Sequence, residues 1–124
     1  MTKPTPRIEC DLTALVPAGV EPQPAILAEA RDRGERISAR VLAAAIAVRE
    51  LPDGFRIQLR DVPGLLLQVA EFVDLDRRCC AFLRHAVILE EGGGPIWLEL
   101  TGPEGAKEAI AGDVARLLPP GLGS

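Results

Sequence analysis

Two adjacent cysteines, Cys79 and Cys80, follow an acid, Asp76, by three and four residues. At about 100° per helical residue, Asp76 falls at the centre of an arc that also holds Leu65, Val69, Phe72, Val73, Cys80 and Leu83. Cys79 lies roughly 60° to one side of the carboxylate and Cys80 roughly 40° to the other. An acid in the middle of an apolar stripe is costly to bury alone, so it must be hydrogen-bonded, ion-paired, protonated or attached to a metal. Consecutive helical cysteines do not close on one another without a strained backbone, so the pair reads as a dithiol. Thiolates are soft ligands suited to zinc, copper(I), mercury(II) and comparable thiophiles, and the carboxylate can serve as a further ligand or as a proton relay. Cys10 can supply a third sulfur if its strand borders the helix. The competing reading is structural: free cysteine often packs as a small hydrophobe, and Asp76 can cap a backbone amide if the helix breaks there.

Other candidates are weaker. His85 is the single histidine and stands five residues after Cys80, where helix gives way to strand; it is available as a base or ligand but equally as a boundary residue. Serine occurs only as Ser38 and Ser124, which leaves little for a Ser-His-Asp set. Gly92-Gly93-Gly94 joins two strands and follows Glu90-Glu91, so it is a turn rather than a phosphate cradle. Gly102-Pro103-Glu104-Gly105 opens a helix with an acid where an anion would bind, which favours helix initiation alone. Thiol chemistry proper, as a redox sensor or an enzyme with a thiolate nucleophile, is a second class of function, although an acidic neighbour favours the protonated thiol. A homodimeric interaction module using free sheet edges is a third.

The elements that must position these residues are legible in the periodicity. Residues 1–7 form a loose tail, residues 8–118 one domain, and residues 119–124 a second tail. Ile8, Cys10 and Leu12 alternate with Glu9 and Asp11 as a half-buried strand would. Ala25 to about Ala44 repeats apolar residues at helical spacing, with Gly34 as a weak point and an arginine-rich wet face. Pro52-Asp53-Gly54 separates strands over 47–51 and 55–60. A second helix is expected from Leu65 to about Leu83, and a second hairpin over 86–90 and 96–101. A third helix is expected to open at Pro103 and to end before Pro119-Pro120. Hairpin, helix, hairpin, helix describes an α+β fold: a mainly antiparallel sheet of two hairpins, plus an N-terminal strand, with three helices on one face.

The stretch Asp76-Arg77-Arg78-Cys79-Cys80-Ala81-Phe82, with Trp97-Leu98-Glu99-Leu100-Thr101-Gly102-Pro103-Glu104-Gly105 after it, resembles a group of small, uncharacterised bacterial proteins. Their core is acid-x-x-Cys-Cys-Pro-Phe, followed by a Trp-Leu-x-Leu-Thr-Gly-Pro-Glu-Gly segment. The likeness covers residues 45–112. Ala81 departs from the group's proline, which would let the helix continue past the cysteines, and His85 stands where the group tends to carry an aromatic residue. The resemblance implies a family domain and brings no activity with it.

Composition narrows the field. The chain has 124 residues, one domain's worth, and 48% of them are hydrophobic, enough for a self-sufficient core. Phe55, Phe72, Phe82 and Trp97 are its only aromatics, which leaves almost no surface for stacking bases. A net charge of −4 argues against a nucleic-acid or anionic-membrane partner. No apolar run reaches the roughly 20 residues of a membrane span, and the first six residues lack a secretory pattern, so a cytoplasmic protein is expected. Three cysteines in a reducing compartment read as thiols rather than as a disulfide framework.

Overall fold

The computed structural model describes residues 15–122. Helix α1 spans Pro24–Ala43, strand β1 Ala45–Leu51, β2 Gly54–Leu59, helix α2 Leu65–Cys79, β3 Arg84–Leu89, β4 Ile96–Thr101 and helix α3 Ala106–Leu117. A short 3-10 turn over Glu91–Gly93 links β3 to β4. The expected α+β architecture is present, and among the described residues every strand pairing is antiparallel, in the order β1-β2-β4-β3. The expected strand around Ile8 and Cys10 falls outside the described residues.

Register explains which residues become core. Ile57 stands opposite Val48 on one side and Leu98 on the other, and Leu98 opposite Val87, so this row of four shares the helix-covered face. Phe55 with Leu100, and Leu59 with Ile96, make parallel rows. Ile57, Leu98, Val41 and Val69 are fully sealed. Each such side chain contributes about 1.5–3 kcal/mol by leaving water. Ile37, Val41 and Leu42 of α1, Phe72 and Leu75 of α2, and Ile110 and Val114 of α3 complete one cluster. The alternate residues face the other way, where Trp97 lies under the Arg56 guanidinium at 4.3 Å and near that of Arg49 at 5.8 Å.

Several boundaries differ from expectation for physical reasons. Helix α1 runs unbroken through Gly34, because Ile37, Val41 and Leu42 beyond it are pinned in the core. Helix α2 stops at Cys79 instead of continuing to Leu83. Cys80 turns out of the helix at φ −119°, ψ 65°, its N–H donating to the Asp76 carbonyl at 2.7 Å, and the chain reverses through Ala81 and Phe82 into β3. The expectation that Ala81 lets the helix continue past the cysteines therefore does not hold. Strand β3 begins at Arg84, two residues early, and so takes in His85. Helix α3 begins at Ala106 rather than Pro103, because Gly105 sits at φ 91° and starts the helix from a left-handed residue. At the β1–β2 turn, Gly54 packs directly on β4: a Cβ there would lie 1.9 Å from the Leu100 carbonyl oxygen. Strand β1 carries a register shift between Ala45 and Ala47, whereas β3 pairs regularly along all six residues.

Candidate functional site

The end of α2 and the start of β3 meet because the turn between them is only four residues long. That brings Asp76, one helical turn before Cys80, against the first inward-facing residue of β3. The His85 Nε2 lies 2.5 Å from Asp76 Oδ2, with the His85 side chain 6% and the Asp76 side chain 22% exposed. The Cys80 thiol also donates a hydrogen bond to this carboxylate. Asp76 thus solves the burial problem posed by its place in an apolar arc: it is hydrogen-bonded twice, by an imidazole and a thiol. The adjacent arginines take no part, since both are exposed and Arg78 pairs with Asp74 at 3.1 Å.

The electrostatics follow from this placement. Cys80 is 7% exposed, and burial, reinforced by the charges of Asp76 and of Asp113 from α3 and by the hydrogen bond to Asp76, pushes its thiol from the ordinary 9.0 up to about 12. It is a protonated hydrogen-bond donor at neutral pH. Such a thiol is a poor spontaneous nucleophile, which weighs against an enzyme built on a Cys80 thiolate.

Cys79 behaves differently. It is disulfide-bonded, while Cys80 is a free thiol, so the expected vicinal dithiol is not present in this oxidised form. The two sulfurs differ because the helix ends between them: Cys79 is the last helical residue and half-buried, and Cys80 turns inward. Cys10, the expected third sulfur, lies outside the described residues.

A cleft of about 290 Å³ opens between the three helices at this end of the molecule, walled by Phe72 and Leu75 and reached by Asp76, Cys79, Cys80 and Asp113. Beneath it, a cavity of about 50 Å³ brings Asp76 and Cys80 against Leu83 and Leu100. The site therefore pairs an apolar wall with acidic and sulfur-bearing groups. Among the described residues no three His, Cys, Asp or Glu side chains converge as a ready ligand set.

Asp76 and Cys80 thus come together, Cys79 adjoins them at the cleft, and His85 is the functional candidate that sequence reasoning undervalued. The signal for it was its proximity to Cys80, which becomes meaningful only once the helix is known to stop at Cys79. Comparison of the chain with protein-family models, with curated proteins and with solved structures gave no match.

Proposed function

We propose that this chain is a thiol-based binding domain in which Cys79 and Cys80, when reduced, capture a soft metal ion, a metalloid or another thiophile. The observation that carries the reading is the Asp76 carboxylate held between the Cys80 thiol and the His85 imidazole beside a cleft that Cys79 also reaches. Capture exchanges a sulfur–hydrogen bond for a sulfur–metal bond. The proton leaving Cys80 passes to Asp76, whose charge then no longer opposes the thiolate, and His85 keeps the carboxylate oriented. Two sulfurs suffice for ions that accept linear or low coordination, such as mercury(II) and copper(I). Helix α1 is amphipathic, and no helix among the described residues is long and apolar enough to cross a membrane. The reading sets the protein in the reducing cytoplasm, where Cys79 is available as a thiol.

A second reading, a thiol redox switch, is favoured by one observation: Cys79 is disulfide-bonded while its neighbour remains a thiol. One experiment addresses both. The protein, reduced and oxidised, is titrated with mercury(II), copper(I), zinc and arsenite beside the double variant Cys79→Ser, Cys80→Ser. We expect binding by the reduced wild type, its loss in the double variant, and a roughly 10- to 100-fold weaker affinity in Asp76→Asn, the range seen when a group supporting a ligand is removed. Equal binding by wild type and double variant ends the proposal, and equal binding by reduced and oxidised protein ends the switch.

A further inference from the structure

The two edges of the sheet are unlike. Strand β1 is irregular, with a register shift near its start and the exposed charges of Arg49 and Glu50. Strand β3, Arg-His-Ala-Val-Ile-Leu, is regular, contains no proline, and among the described residues leaves one row of backbone donors and acceptors without a neighbouring strand. Its apolar residues are also uncovered: Val87 is 38% and Leu89 55% exposed, although both lie on the helix-bearing face. Helix α2 is joined to β3 by the contact between Asp76 and His85. Its flank bearing Leu66 and Val73 lies on the side of the helix away from Glu71, which pairs with Arg33 of α1 at 3.0 Å. Leu66 there is 40% exposed.

We propose that β3 pairs antiparallel with β3 of a second copy of this chain, about a two-fold axis at Val87, joining two four-stranded sheets into one. The occupant is identified by charge and register. For the helices of both copies to lie on the same side, residues directly opposite must share a face, so the axis must pass through a residue and not between residues. With the axis at Val87, Val87 meets its own copy, His85 lies opposite Leu89, Ala86 opposite Ile88, and Arg84 opposite Glu90. Arg84 is exposed and makes no ion pair among the described residues, and Glu90 has only a loose contact of 3.8 Å with Arg56. Moving the axis to Ala86 sets Arg84 against Ile88, and moving it to Ile88 sets Arg84 against Gly92, whereas at Val87 it meets Glu90, the residue that follows β3. Of these three registers, only the one at Val87 sets Arg84 against an opposite charge while pairing Val87 with its own copy and Ala86 with Ile88, and the charge pair occurs twice because the interface is symmetric.

Sedimentation equilibrium of the full chain in reductant tests the pairing, since reductant keeps disulfides between copies out of the result. We expect a species of twice the 13.2 kDa chain mass. Arg84→Glu and Glu90→Arg each place like charges at both ends of the interface and should weaken association by about tenfold. Mixed in equal amounts, these two variants regain opposite charges at both ends and should associate as well as wild type. Val87→Lys, which sets two ammonium groups together on the axis, should leave single chains with an unchanged far-ultraviolet spectrum. A wild-type chain that stays single at its highest soluble concentration overturns the proposal, including the case where it instead takes up an extended peptide from another protein. A dimer indifferent to Val87→Lys and to both charge variants also overturns it.

Discussion

Cys80 is held by its surroundings in the protonated state, and that preference is a contribution to stability. Its folded value of about 12 stands above the ordinary 9.0, so the folded protein binds this proton more tightly than the unfolded chain does. The stabilisation is fully present below pH 9 and is lost progressively as pH rises from 9 towards 12. Urea unfolding of the metal-free protein should show stability falling across that window, and Cys80→Ala, which has no thiol to titrate, should show a visibly shallower fall. A slope identical in the two proteins contradicts the assignment. Asp76 could be singled out from spacing alone, because three- and four-residue offsets fix helical neighbours whatever the tertiary fold. His85 could not: its meeting with Asp76 depends on where α2 ends, and a helix continued to Leu83 would have carried it elsewhere. The unequal fates of Cys79 and Cys80 were hidden for the same reason.

At the scale of elements, alternation and helical periodicity placed every described strand and helix, since burying one face imposes its period on the residues. The ends were less legible because they are decided by tertiary partners. Helix α3 starts late because Gly105 is left-handed, and α1 passes Gly34 because its second half is anchored in the core. Gly54 is the sharpest constraint on the hairpin that supports the site. A methyl group there meets the Leu100 carbonyl, and neither backbone can yield without disturbing the pairing of β2 with β4. Gly54→Ala should cost at least about 2 kcal/mol in denaturant unfolding. A loss below half of that would mean that β2 slides to make room.

For the whole molecule, one hydrophobic cluster among the described residues draws on α1, α2 and α3 and on β1, β2 and β4, with Val48 of β1 packed at its margin and no residue of β3 included. A single core in a chain of 124 residues predicts one cooperative transition. Fluorescence of Trp97, the sole tryptophan, reports the open face of the sheet, and far-ultraviolet dichroism reports mainly the helices on the other face. The two curves should superimpose in urea; separated midpoints would indicate that the sheet and the helices come apart independently. The α+β layer itself was legible because two hairpins, each followed by a helix, have few ways to cover one face. Which edge would stay regular was not, since the irregularity of β1 arises from its register against β2 and leaves no mark in the sequence.

The irregular start of β1 has a consequence for growth. A sheet with two clean borders can add molecule after molecule and lengthen into a fibre. Here one border carries a register shift and exposed charges, so lateral accretion has one favoured point of attachment, and the proposed pairing of like with like about a dyad would use it up. In the proposed pairing, the register shift between Ala45 and Ala47 and the charges of Arg49 and Glu50 act as a terminator, limiting assembly to a closed pair.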